Sequence, residues 1–87
     1  PGNRPVDRVI DRAFEQYEDE INEIAERLHN LAEKVNESSI EYLDSFEFVD
    51  EMAVIESLRT ETAEDLRIAS EGLIDDDMVD EKIRELL

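Results

Sequence analysis

The sequence predicts an all-α protein, an antiparallel hairpin of two long helices followed by a short C-terminal helix, in one domain spanning residues 1–87. Apolar residues recur at alternating steps of four and three along the first third of the chain, which is the pattern of a helix with one buried seam. No Gly or Pro occurs between residues 6 and 71. The chain contains no Cys, so stability must come from the packing of apolar helix faces.

The first helix is predicted over residues 5–36. Pro5 suits a first helical turn, where its missing N–H costs nothing, and the residues after Asn36 favour a stop. A helix of this length needs a partner of similar length to cover its seam. The seam consists of Ile10, Phe14, Tyr17, Ile21, Ile24, Leu28, Leu31 and Val35.

The second helix is predicted over residues 39–71. The run from Ser38 to Glu41 has the S-x-x-E pattern of a capping box, and the short connection makes the two helices antiparallel neighbours. Gly72 lies where a left-handed C-terminal residue is expected. A break near Asp44 or near Thr60 is the alternative, but a continuous helix is favoured because its length matches that of its partner.

A short third helix is predicted over residues 77–87, with Val79, Ile83 and Leu86 on one side. Asp75, Asp76 and Asp77 precede it as a turn and N-cap. They lack the alternating ligands, the Gly and the final Glu of a calcium loop. We therefore expect no metal site and no cofactor.

Negative charge dominates the composition, with 26 acidic and 9 basic residues and a net charge of −17. An apolar content of 40% argues against a disordered acidic tail. Residues 37–58 include no basic residue, and the carboxylates there are predicted to form an acidic ribbon that binds a basic partner. The candidate partner-binding residues are Glu37, Glu41, Asp44, Glu47, Asp50 and Glu51, with Asp75, Asp76 and Asp77 as a second acidic patch.

The second helix carries two apolar faces, which implies two packing partners. Tyr42, Phe46, Val49 and Ala53 are predicted to pack on the first helix. Phe48, Met52 and Ile55 are predicted to form a self-association surface that produces a homodimeric helical bundle. The alternative for this second face is a binding site for a different protein, with an apolar centre and a carboxylate rim.

Several classes of function are disfavoured. Direct nucleic-acid binding requires clustered Lys and Arg, which the chain lacks, and no apolar run is long enough to span a membrane. The chain has no Cys, one His and no Gly-rich phosphate loop, so nucleophilic catalysis is not indicated. A cytoplasmic protein without enzymatic activity is the expectation.

Two resemblances bear on function. Glu23-x-x-Glu26 and Glu47-x-x-Asp50 resemble the paired acidic motifs of the all-α, MazG-like nucleoside triphosphate pyrophosphohydrolases, which implies Mg²⁺-dependent hydrolysis of a triphosphate as the enzyme alternative. In size and acidity the chain also resembles the DNA-mimic, anti-restriction and anti-CRISPR inhibitors of phages, and the immunity proteins and antitoxins that neutralise basic nucleases.

The leading hypothesis is a non-enzymatic inhibitor of a basic, nucleic-acid-handling protein. The other hypothesis is a structural or adaptor hairpin whose acidity is an adaptation to high salt, a reading to which seven Arg against two Lys lends some support.

Overall fold

The computed structural model describes residues 4–38 and 40–87, and it confirms the all-α hairpin with a short C-terminal helix. The described residues contain no β-strand. They extend over 52 × 23 × 18 Å. The helices are α1 (Pro5–Gln16), α2 (Glu18–Glu37), α3 (Ile40–Leu43), α4 (Phe46–Ala69) and α5 (Asp76–Leu86).

The first arm of the hairpin consists of two helices, so the prediction of one unbroken helix over residues 5–36 is wrong. Tyr17 separates α1 from α2 with φ −108° and ψ 21°. Hydrogen bonding continues across this residue, because the Tyr17 N–H donates to the Ala13 carbonyl at 3.2 Å and the Tyr17 carbonyl accepts from the Ile21 N–H at 3.1 Å. Three acidic residues follow in the first turn of α2, where the helix dipole favours negative charge.

The second arm breaks at Asp44 and Ser45, which corrects the favoured continuous helix over residues 39–71. The Ser45 hydroxyl accepts from the Phe48 N–H at 3.2 Å and donates to the Tyr42 carbonyl at 2.6 Å. Ser45 is thus the N-cap of α4, because it satisfies one of the N–H groups that a helix start leaves unpaired. The predicted capping box includes Ser39, which lies outside the described residues.

The chain turns between α4 and α5 through a left-handed pair of residues. Glu71 and Gly72 have φ values of 58° and 87°. The Gly72 N–H donates to the Arg67 carbonyl at 2.7 Å, and the Glu71 N–H donates to the Ile68 carbonyl at 3.1 Å, a Schellman motif. The predicted N-cap is confirmed at Asp75, whose Oδ1 accepts from the Met78 N–H at 2.9 Å.

The predicted seam of the first arm is buried or half-buried along its whole length, and α2 packs against both α4 and α5. The core nevertheless occupies only part of the hairpin. Its buried apolar residues are Ala13, Ile21, Ile24, Ala25, Leu31, Ile55, Ala63, Leu66, Ile74, Val79 and Ile83.

No described residue between 32 and 54 is buried. We call residues 32–54 the hairpin tip, and the rest of the hairpin together with α5 the hairpin base. The described part of the tip lacks buried residues because α5 is too short to reach it, since a helix extends about 1.5 Å per residue. With 11 residues, α5 is only about 16 Å long, whereas the 24 residues of α4 extend about 36 Å. Leu86, the last residue of α5, and Leu87, which follows it, lie near Asn22 and His29 of α2, so α5 covers only the base.

Candidate partner-binding surface

The predicted acidic ribbon lies at the hairpin tip. Glu37 ends α2, Glu41 lies in α3, Asp44 precedes Ser45, and the other three residues lie in the first two turns of α4. All of them are exposed except Glu51, which is half-buried. The fold therefore brings the carboxylates of three helices to one end of the molecule.

Two of these carboxylates are neutralised by cations of α2, which corrects the prediction of an uncompensated ribbon. Arg27 contacts Glu51, with 3.0 Å between Nη1 and Oε1, and Lys34 forms an ion pair with Glu47. The two pairs confirm that the arms are antiparallel. The residue with the higher number in α2, Lys34, pairs with the residue with the lower number in α4, Glu47. The prediction considered only charges on the same helix, whereas the cations come from the helix alongside.

Lys34 is the one basic residue of the hairpin tip. Its hydrogen bond with Glu47, followed by the charge of that carboxylate, raises the pKa of the Lys34 ammonium above the ordinary value of 10.5. The ammonium also lies 5.8 Å from the centroid of the Tyr42 ring. Because the folded state has the higher pKa, this contact stabilises the fold fully below pH 10.5 and is lost as the pH rises through the folded value. Both side chains are exposed, so the contribution is small.

The other four carboxylates of the ribbon keep their charge uncompensated. Within residues 4–38 and 40–87, no ion pair involves Glu37, Glu41, Asp44 or Asp50. Like charges on neighbouring turns repel by a few tenths of a kcal/mol per pair. These four side chains are therefore the part of the predicted ribbon that is available to a cationic partner.

A groove of about 560 Å³ lies between α2 and the second arm, and Glu23 and Glu26 line it together with Glu47 and Glu51. The fold thus brings three of the four residues of the pyrophosphohydrolase-like motifs to one groove, but Asp50 does not line it. Across the part of the chain that the structure describes, no group of three or more Asp, Glu, His or Cys side chains is arranged to hold a metal ion. Arg27 and Lys34 also line the groove. Arg27 forms an ion pair with Glu51 and Lys34 forms one with Glu47.

The second predicted acidic patch lies at the opposite end of α4 from the tip. Asp75, Asp76 and Asp77 are exposed, and Asp75 acts as the cap of α5. Arg59 is close to this patch and contacts Glu56 at 3.2 Å and Asp80 at 3.5 Å. The hydrogen bond to Glu56 raises the pKa of Arg59 against the opposing effect of burial, and Asp80 and Asp76 add to the rise.

The two apolar faces of α4 are the reverse of those predicted. Ile55 is 5% exposed and belongs to the core. Phe48 is half-buried, and its ring makes an edge-to-face contact with that of Tyr42, with 5.8 Å between the ring centroids. The self-association surface predicted from Phe48, Met52 and Ile55 is therefore wrong, since only Met52 is exposed, at 39%.

Of the face predicted to pack on the first helix, Tyr42 is half-buried against the core, but Phe46, Val49 and Ala53 are exposed. Phe46 is 87% exposed and Val49 is 55% exposed. We call Phe46, Val49, Met52 and Ala53, all exposed, the apolar strip. Two further apolar side chains, Ile40 and Leu43, are exposed in α3 at 79% and 41%.

The later residues of α4 indicate which side of the helix packs in the core. The stripe of Phe48 and Ile55 continues at helical spacing through Thr62 and Leu66, both buried. The stripe of Phe46, Val49 and Ala53 continues into Ser57 and Thr60, both polar and exposed. Extending each stripe over the whole of α4 distinguishes the face that packs in the core from the face that does not.

No helix among the described residues is both long enough and apolar enough to cross a membrane. Comparison of the chain with protein-family models, curated proteins and solved structures found no match. The fold and this surface define an acidic helical hairpin whose tip combines uncompensated carboxylates with exposed apolar side chains.

Proposed function

We propose that this is a non-enzymatic binding protein that blocks a basic, nucleic-acid-handling partner in the cytoplasm. The supporting observation is the group of exposed, uncompensated carboxylates at the hairpin tip, Glu37, Glu41, Asp44 and Asp50. The net charge of −17 supplies a long-range field of the same sign. Such a field attracts a basic protein and repels nucleic acid.

The proposed mechanism is competition for a cationic surface. Duplex DNA presents about one negative charge per 1.7 Å of its axis to such a surface. The tip presents a sparser but similar array, fixed on helices that are already folded, so little ordering is required on binding. Electrostatic attraction accelerates the encounter and makes association strongly dependent on salt. Occupation of the cationic surface by the tip then excludes nucleic acid.

A charge-reversal experiment tests the proposal. We expect the triple variant Glu41→Lys, Asp44→Lys, Asp50→Lys to bind a basic partner roughly hundredfold more weakly than the wild type, since three favourable contacts become repulsive. None of the three side chains is buried or ion-paired in the described structure, so helicity should be unchanged. The partner is first captured from host lysate at low salt and released by a salt step, and the measurement is displacement of duplex DNA from it.

The matched control is Glu20→Lys, Glu61→Lys, Glu64→Lys. It makes the same change in net charge at exposed positions of the hairpin base. This control should displace DNA nearly as well as the wild type. If both triple variants lost DNA displacement equally, net charge alone would explain the effect. Undiminished displacement by the tip variant would reject the proposal.

The response to salt separates this proposal from adaptation to a salt-rich proteome. We expect the protein to keep its helical circular dichroism at low ionic strength and to bind its partner most tightly there, because screening weakens attraction between opposite charges. A protein whose acidity serves only salt adaptation would instead unfold as salt is removed, since carboxylate repulsion would no longer be screened. The measurement is a salt titration of helicity alongside binding.

A further inference from the structure

The hairpin tip lacks the third layer that completes the hairpin base. At the base, α5 contributes Val79 and Ile83, which are 0% and 4% exposed, to a core shared with α2 and α4. At the tip the two arms are joined by the four-residue α3, α5 is too short to cover them, and no described residue of 32–54 is buried. Apolar side chains nevertheless recur through this segment, and several of them, including Ile40 and Phe46, are largely exposed to solvent.

The apolar strip is a continuous face of one helix. Phe46, Val49 and Ala53 follow one another at steps of three and four, which places them on the same side of α4. Met52 lies three residues after Val49 and extends the strip sideways. Phe46, Val49 and Ala53 face away from Phe48 and Ile55, whereas Met52 lies between the two sides. A side chain as large and as exposed as Phe46 is a typical anchor for a partner.

Carboxylates border the strip. Asp50 lies four residues after Phe46 and is adjacent to the strip on the helix surface. Glu56, four residues after Met52, is adjacent as well, but it already contacts Arg59 at 3.2 Å. Asp44 lies two residues before Phe46, and Glu41 lies in the preceding helix. The hairpin tip as a whole has seven acidic residues and one basic residue, Lys34.

This charge identifies the kind of occupant. A second copy of the chain would bring two strongly acidic tips together, and like charges across an interface are unfavourable. A partner with an apolar face and cationic flanks would cover the strip and neutralise its rim at once. An α-helix suits the site, because residues at steps of three and four on one helix match the grooves of another.

We propose that the apolar strip is the docking surface for a basic amphipathic helix of about three turns in the partner protein. Its apolar residues cover Phe46, Val49 and Met52, and its Lys or Arg residues contact Asp44, Asp50 and Glu41. The proposal rests on the proposed function. It adds that the part of the partner recognised by the tip is a basic amphipathic helix. Apolar contact retains the partner after the charges have brought it close.

Synthetic peptides test this proposal directly. One probe is a helical peptide with Leu at steps of three and four and Lys and Arg elsewhere, and the other is a scrambled peptide of the same composition. We expect the wild-type protein to bind the amphipathic peptide roughly tenfold more tightly than the scrambled one, because only the former can place its Leu residues on the strip. Equal affinity for both peptides, or no binding of either, would overturn the docking proposal.

Variants of the strip locate the binding. The double variant Phe46→Gln, Val49→Gln should lose this preference, whereas Ile68→Gln should keep it. Ile68 is a matched control because it is an exposed apolar residue of the same helix, at 69%, but in the hairpin base. Retention of the preference by the double variant would overturn the proposal, as would a concentration-dependent dimer in sedimentation that the double variant abolishes, since the strip would then bind a second copy.

The same variants distinguish failure of this inference from failure of the proposed function. If the double variant still displaces DNA from the captured partner but the charge-reversed tip does not, the proposed function stands and the docking surface is wrong. If the charge-reversed tip still displaces DNA while the double variant loses peptide binding, the strip docks a helix but the tip carboxylates do not cause the displacement, and the proposed function is wrong.

Discussion

Replacement of Leu66 by alanine is expected to lower the free energy of unfolding by about 2–5 kcal/mol. Leu66 is 0% exposed and lies in α4, which packs against α1 and α2. Truncation removes buried apolar atoms and leaves a cavity that the surrounding helices fill only in part. Small domains have a total stability of about 5–15 kcal/mol, so this one change removes a large fraction of it.

The measurement is urea unfolding followed by circular dichroism, with Ile68→Ala as the control. Ile68 lies two residues further along the same helix and is 69% exposed, so its truncation should change stability by no more than about 0.5 kcal/mol. Similar losses of unfolding free energy in the two variants would show that Leu66 is not a core residue.

The second large effect is expected at Ser70, which is 0% exposed. Its hydroxyl accepts a hydrogen bond from the Ile74 N–H at 2.9 Å and donates one to the Arg67 carbonyl at 3.2 Å. Ser70→Ala leaves the buried Ile74 N–H without this partner, at a cost of about 1–3 kcal/mol. The loss acts on the turn that leads to Asp75, and so on the position of α5.

Hydrogen exchange is the sharper measurement for Ser70→Ala, because the amide of Ile74 should exchange faster in the variant by more than the global loss of stability explains. Ser57→Ala is the control, since Ser57 is an exposed residue of α4, the helix that ends just before Ser70, and alanine favours helix. If the Ile74 amide retained its protection in the Ser70 variant, the hydroxyl would not be the partner on which that amide depends.

Stability and proposed binding are located in different halves of the molecule. The core that Leu66 represents lies in the hairpin base, whereas the uncompensated carboxylates and the apolar strip lie in the hairpin tip. Substitutions at Phe46 or Asp50 alter exposed side chains, and such changes usually have small effects on stability. Binding variants of the tip should therefore remain folded, which makes their loss of binding interpretable.

Much of the architecture could be predicted because it depends on local pattern. The heptad seam from Ile10 to Val35 specified a helix with one buried side. The acidic run before Met78 specified a turn and an N-cap for the last helix, and the structure places that cap at Asp75. The interruption at Tyr17 was missed because no Gly, Pro or capping side chain marks it. The break at Ser45 was an open alternative, and the Ser45 side chain caps the next helix in the structure.

The binding surface was predicted less well, since it depends on which side of α4 faces α2. Over residues 42–55 both stripes are apolar, so local pattern cannot distinguish Phe48 and Ile55 from Phe46 and Val49. The pairing of Lys34 with Glu47 and of Arg27 with Glu51 also joins residues far apart in sequence, so no reading of one helix at a time could detect it.

The sequence by itself determined the helical class, the antiparallel hairpin and the excess of negative charge, because periodicity, caps and composition are properties of neighbouring residues. Only the tertiary structure decided which apolar face of α4 entered the core, which carboxylates were neutralised by α2, and that α5 covers the base but not the tip. These features depend on contacts between helices, and a contact depends on the position of both of its members.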